Sequence, residues 1–262
     1  MPDRARIAVL GGVYSNYLAL EAALADIRRR GVDAIYCLGD LGAFGPNPDR
    51  VFPLLREADV QCIQGNYDNS IGNGLSDCQC GYTDPRDNHF ARLSYQYTFN
   101  HTSLEHREWM KNLPAMRRIR LGNYQCLLCH GSPRKINEFL WESTTSSHFL
   151  SYLTATHEAD VILATHTGIK WHRQLSDNRH FVNVGVLGRP ENDGRTNVWY
   201  TILDARTGLQ VEFVPVEYDH HRLAREMSDE KLPNEFIETI LAGWWTTCLE
   251  ILPAKERRRG KY

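Results

Sequence analysis

The sequence predicts an α/β fold in which two sheets pack face to face with helices outside. Three observations carry this. Strand-length apolar runs recur along the chain, the first two bracket an amphipathic helix in a βαβ opening, and the last two form a hairpin, so antiparallel pairing follows a parallel start. The 262 residues suit one large domain, read here as residues 1–262, and no internal repeat or linker divides it. A hydrophobic fraction of 42% with 24% charged residues excludes disorder, collagen-like repeats and coiled coil. Lys+Arg of 30 against Asp+Glu of 32 leaves a net charge of −2, so nothing draws the whole molecule to nucleic acid or anionic lipid.

In chain order the runs are Ile7–Leu10, Ala34–Leu38, Val60–Ile63, Tyr124–Cys129, Val161–Ala164, Phe181–Val186, Val198–Leu203 and Leu209–Val214. Between the first two, Leu18, Leu20, Ala22, Leu24 and Ile27 mark a helix with Asn16 at its cap. Asp49–Glu57 and Ser146–His157 read as further helices, and the hairpin turns around Ala205–Gly208. Gly65 to Thr98 crowds Gly, Asn, Asp, Cys and aromatics together and reads as a long ordered loop, centred on residues 69–89, leading into a helix. A helical extension follows at about 219–262; its Trp244-Trp245 reads as a packed helix end, and Lys255 to Lys261, with five basic residues and one acid, as a solvated tail. The N-terminal apolar run of Ile7–Leu10 is too short for a secretory signal, and no run approaches the ~18–20 residues of a membrane span. Seven cysteines in a chain of this size read as reduced thiols in a cytoplasmic protein.

The chemistry points to the strand ends. Ala34–Leu38 runs into Gly39-Asp40, Val60–Ile63 into Gly65-Asn66, Tyr124–Cys129 into His130-Gly131, and Val161–Ala164 into Thr165-His166. Ligands collect at the carboxyl ends of strands in α/β sheets, so Asp40, Asn66, His130 and His166 are placed to converge. One by one they read as turn residues or hydrogen-bonded core histidines. Together, two imidazoles, a carboxylate and an amide oxygen suit a borderline ion such as Zn, Mn, Fe or Co.

The ordered series Asn16-Tyr17-Leu18-Ala19-Leu20-Glu21-Ala22, Leu38-Gly39-Asp40 through Gly45-Pro46-Asn47-Pro48, Gly65-Asn66-Tyr67-Asp68, His130-Gly131-Ser132-Pro133, Thr165-His166-Thr167 and Asn183-Val184-Gly185 resembles the calcineurin-like metallophosphoesterases over roughly residues 6 to 215. The resemblance implies a four-layer α/β/β/α sandwich and a metal-dependent phosphoester hydrolase acting on a small phosphorylated substrate. It also implies departures. Gly12-Val13-Tyr14 stands where the family has Asp-x-His, Tyr67 where Gly-Asn-His-Asp has its histidine, and Thr167-Gly168 follows His166 where the family has Gly-His-x-His. Of the ligands to one family metal only Asp40 is kept; those of the other survive as Asp40, Asn66, His130 and His166. One ion per chain is therefore expected rather than two.

Tyr14 is expected to fill the vacated site, with ligation of a ferric ion as the lesser alternative. Tyr67, protonated at an unperturbed pKa of ~10, is expected to donate to the leaving oxygen, with Asp68 orienting it. Asn16 and Arg189 are candidate phosphate contacts. Rival readings are a dinucleotide fold, which lacks the needed glycines after Gly12; a zinc site on Cys78, Cys80, Cys126 and Cys129, which the opposed faces of Cys126 and Cys129 argue against; single-iron redox chemistry; and a re-purposed, non-catalytic relative. Cys78 and Cys80 stay open between approach to the metal, a redox-sensitive pair and a turn cap. No membrane partner is expected, and a homo-oligomer is left open.

Overall fold

The computed structural model describes residues 4–258, so the last part of the basic tail, 259–261, lies outside the described residues. The chain runs β1 (Arg6–Leu10), α1 (Tyr17–Arg30), β2 (Ala34–Cys37), a 3-10 turn at Pro48–Arg50, α2 (Val51–Glu57), β3 (Gln61–Cys62), α3 (Asn66–Gly72), α4 (Pro85–His101) and α5 (Leu104–Lys111). It continues with β4 (Arg117–Leu121), β5 (Tyr124–Leu128), α6 (Ser147–Thr156), β6 (Val161–Ala164), β7 (Trp171–Gln174), β8 (His180–Asn183), β9 (Val198–Asp204) and β10 (Gln210–Val216). The extension holds α7 (His220–Asp229), α8 (Asn234–Ala242) and α9 (Ala254–Arg257).

Two five-stranded mixed sheets result, ordered β10-β9-β1-β2-β3 and β4-β5-β6-β8-β7. In the first, β1, β2 and β3 are parallel, while β9 joins β1 antiparallel with Ile7 opposite Leu203. In the second, β5, β6 and β8 are parallel between antiparallel edges β4 and β7. Alternation along the strands builds the layers. Ile7, Val9, Tyr36 and Leu38 meet Ile119, Cys126, Leu128, Leu163 and Val182 in the core between the sheets. Ala8 and Leu10 point the other way, under Leu20, Leu24 and Ile27 of α1. Leu127, Ile162 and Phe181 lie under Leu150 and Leu153 of α6. The order is α/β/β/α, as expected. Cys126 sits between the sheets and Cys129 under α6, on opposite faces, both as buried thiols.

Local chemistry explains the boundaries. Asn16 caps α1, its Oδ1 accepting from Ala19 N at 3.0 Å, and Gly31 at φ 65° ends it after Arg28, Arg29 and Arg30. Asp84 caps α4 just before Pro85. Two edge strands, β4 and β7, escaped the apolar-run reading because only one face of an edge strand needs burial. In Arg117-Arg118-Ile119-Arg120-Leu121 just Ile119 and Leu121 are buried. The long loop is shorter than expected. α3 takes Asn66–Gly72 and α4 begins at Pro85, which leaves 73–84 irregular, with Cys78 and Cys80 joined in a disulfide. Two of the seven cysteines are thus paired rather than reduced. The extension packs over α4, where Asp87 Oδ2 accepts from Ile251 N at 3.1 Å.

Candidate metal centre

Asp40 follows β2, Asn66 follows β3, His130 follows β5 and His166 follows β6, so each sheet contributes two residues where their strand ends meet. Donor atoms of Asp40, His130 and His166 all lie within 4.8 Å of one another, and the three side chains are buried. His130 Nε2 is 3.3 Å from Asp40 Oδ2 and 3.2 Å from His166 Nδ1. Its Nδ1 donates to the Leu38 carbonyl at 2.7 Å, which fixes the tautomer and leaves the Nε2 lone pair for a ligand role. The amide of Asn66 is oriented likewise. Its Nδ2 donates to the Cys78 carbonyl at 2.8 Å and lies 3.5 Å from Cys80 Sγ, while its Oδ1 is buried without a partner among the described residues. A buried acceptor left unpaired beside a carboxylate and two imidazoles fits a bound cation, which would satisfy it.

Strain is concentrated here. Asp40 (φ 56°), His166 (φ 65°) and Tyr14 (φ 51°) all occupy the left-handed region, at roughly 1–3 kcal/mol each. Backbone proximity is the second device. A Cβ on Gly65 would stand 2.3 Å from Asp40 Oδ1, so only glycine lets α3 approach the Asp40 carboxylate.

Burial, and then the charge of His130, pushes the His166 pKa down to about 3, so its imidazole is neutral and a lone pair is available. For His130 burial opposes protonation but the Asp40 carboxylate outweighs it and raises the pKa. Burial also works against the Asp40 charge, yet His130, His166 and the Tyr67 amide hold its pKa below the usual value. Burial and the Asp40 charge raise Asp68 to about 6.

The remaining expected site residues fall differently. Asp68 does not orient the Tyr67 ring. Its carboxylate accepts from Gly65 N (2.8 Å), Asp40 N (2.7 Å) and Leu41 N (3.0 Å), and so clamps the loop that carries Asp40. Tyr67 lines the cavity beside the centre, but its hydroxyl donates to Ser94 Oγ at 3.0 Å and reaches Ala91 O at 3.4 Å on α4. Asn16 is not among the residues lining that cavity. Both ends of its amide are used, one capping α1 and the other donating to the Gly188 carbonyl at 3.1 Å. Tyr14 and Arg189 do line the cavity with Asp40, Asn66 and His166. The sequence reading missed the far wall, where Phe44, Phe90 of α4, Phe236 of α8 and Cys248 close the space. Nothing in their local pattern marks them: Phe90 and Phe236 read as helix core wherever they point, and Phe44 and Cys248 lie in irregular segments. Cys80 lines the cavity too, through the strap closed by its disulfide.

Comparison with known proteins agrees with this fold. A crystal structure of a hypothetical protein from Pyrococcus horikoshii OT3 superposes with a TM-score of 0.77 at 23% identity, covering 92% of this chain and 99% of that one. A metallophosphoesterase from Sphaerobacter thermophilus gives a TM-score of 0.69 at 25% identity, again covering 92% and 99%. An uncharacterized protein of Methanocaldococcus jannaschii is 25% identical over 251 residues, 92% of this chain and 99% of its own. The calcineurin-like phosphoesterase superfamily domain matches residues 6–208, most of the chain and every strand end that carries a candidate ligand. With its two packed sheets and its Asp/His/His cluster at their shared edge, the chain belongs to the calcineurin-like phosphoesterase superfamily.

Proposed function

We propose that the protein is a metal-dependent phosphoester hydrolase working with one ion held by Asp40, Asn66, His130 and His166. The observation that carries this is the pairing of the buried, partnerless Asn66 Oδ1 with the Asp40/His130/His166 cluster. The chemistry supplied by a bound Mn, Zn, Fe or Co ion is polarisation of a phosphoryl oxygen and acidification of water. The chain's own residues do the rest. With His130 Nδ1 held by Leu38 O and Asn66 Nδ2 by Cys78 O, the atoms left for an ion are Asn66 Oδ1 and His130 Nε2, the latter once its proton is released. Asp68 holds the Asp40 backbone in place. Arg189 receives phosphoryl oxygens on the cavity wall. Tyr14 occupies the region of the lost ligands, with Gly12 and Gly188 packed against its ring and Cβ. Burial raises the Tyr67 pKa, so its hydroxyl is a donor and not a base; serving the leaving oxygen requires it to exchange its bond to Ser94.

A cytoplasmic setting belongs to the same reading, supported by five buried cysteines left as free thiols. No helix among the described residues is long and apolar enough to cross a membrane. The test is metal analysis of the purified protein together with phosphoester turnover across added Mn, Zn, Co and Fe, repeated on His130→Ala. About one equivalent per chain with metal-dependent turnover, both lost in the variant, is the expected result. Turnover unchanged in His130→Ala removes the mechanism, and absence of metal and turnover in the parent favours a ligand-binding relative.

A further inference from the structure

Arg189 is 6% exposed, yet no carboxylate among the described residues pairs with it, and its Nε is buried without an acceptor. A buried guanidinium is ordinarily held by an acid that consumes its donors. Here ring faces surround it instead. The guanidinium carbon lies 3.6 Å from the centroid of Trp245, 5.8 Å from Phe44 and 5.9 Å from Tyr14. Stacking on a π face balances the charge without using the N–H groups, which radiate in the guanidinium plane. Among the described residues no hydrogen bond uses its N–H groups, and Arg189 lines the cavity with Asp40, Asn66 and His166.

Trp245 is itself fixed. Its Nε1 donates to Pro190 O at 2.7 Å and its backbone N to Asn192 Oδ1 at 2.8 Å, so the segment bearing Arg189 grips the ring that stacks on it. Two residues beyond His166, Gly168 (φ 77°) leaves room for both partners. A Cβ there would be 3.1 Å from Trp245 Cη2 and 3.4 Å from Arg189 Nη2. The stack is thus wedged against the loop that carries a candidate ligand.

We propose that Trp245 is the positioning residue of an oxyanion subsite at Arg189 and that this subsite selects a terminal phosphoryl group, making phosphate monoesters the substrate class. The proposal rests on the hydrolase reading above. An arginine edge binds two oxygens of one phosphoryl group, and the Asp40/Asn66/His130/His166 centre needs a third. A monoester has three unesterified oxygens and a diester two.

Binding of inorganic phosphate by calorimetry, metal content, and turnover of p-nitrophenyl phosphate against bis(p-nitrophenyl) phosphate test this on the full chain with Trp245→Leu, Trp245→Phe and Arg189→Lys. Trp245→Leu is expected to weaken phosphate binding about tenfold and to raise KM for the monoester with little change in kcat, at unchanged metal content. Trp245→Phe, which keeps a ring face, is expected to restore binding to within about threefold of the parent. Arg189→Lys, charged but without the fork, is expected to lose about tenfold and serves if Trp245→Leu does not fold. Unchanged phosphate affinity in Trp245→Leu and Arg189→Lys overturns the subsite, and faster diester turnover by the parent overturns the substrate class while leaving a hydrolase in place. Phosphate binding that responds to the variants without any turnover keeps the subsite and removes the hydrolase reading.

Discussion

Gly65→Ala separates steric from conformational effects at the centre. Gly65 has φ −89° and ψ 177°, an extended conformation open to any residue. On backbone grounds alanine would there stabilise by about 0.4–1 kcal/mol, through the entropy it removes from the unfolded chain. The surroundings reverse the sign. The new Cβ would stand 2.3 Å from Asp40 Oδ1 and 2.4 Å from Asp40 N, so one side must move by roughly 1 Å to reach ordinary contact. Asp40 cannot move freely, because its N donates to Asp68 Oδ2 at 2.7 Å and its Oδ1 accepts from Tyr67 N at 3.0 Å. Breaking both charge-assisted bonds costs about 3–6 kcal/mol, several times the entropic gain. At ~2–4 °C per kcal/mol for a chain of this size, the melting temperature is expected to fall by about 10 °C. Metal content is expected to fall with it, since the same carboxylate is a ligand. Calorimetric melting with parallel metal analysis reads both. A variant that melts within about 2 °C of the parent and keeps its metal would refute the claim that α3 is pressed against Asp40.

Two further outcomes follow from the rest of the molecule. Burial opposes the Asp26 charge, but the Tyr200 hydroxyl, Arg29 and Arg30 outweigh it and hold the pKa down at about 2, so its contribution to stability is present above pH 3.8 and lost as pH falls through 2. Urea unfolding between pH 2 and 5 is expected to show a shallower acid decline for Asp26→Asn than for the parent, and equal slopes would count against the network. Unfolded without reductant, the protein is expected to show five reactive thiols, those of Cys37, Cys62, Cys126, Cys129 and Cys248; seven would deny the Cys78–Cys80 bond.

Much of the fold was legible because burial writes itself into the sequence. β1, β2 and β6 have buried neighbours on both faces and read as continuous apolar runs. β7 did not, since Trp171-His172-Arg173-Gln174 sits at a sheet edge with a single buried side chain. Candidate ligands were legible for a related reason: a polar residue just past a buried strand has few structural excuses. Side-chain direction was not. Whether Asp68 faces the Tyr67 ring or three backbone amides depends on how α3 meets the β2 loop, a contact across 28 positions. The role of Trp245 was hidden further, because its partner Arg189 lies 56 residues earlier and only the folded extension brings them together.

The order of strands also bears on how the chain is made. β1 lies between β2, which follows it closely, and β9, which begins only at Val198. When synthesis has passed Asn183 every strand of the second sheet exists, while one edge of β1 still lacks its neighbour. During that interval a row of apolar residues, Ile7 through Leu10, presents an unpaired backbone edge able to capture a strand of another nascent chain. The β9–β10 hairpin covers that edge at a single stroke, so the passage of residues 198–216 through the ribosome exit ends the exposure of β1 and leaves β10 as the edge of its sheet.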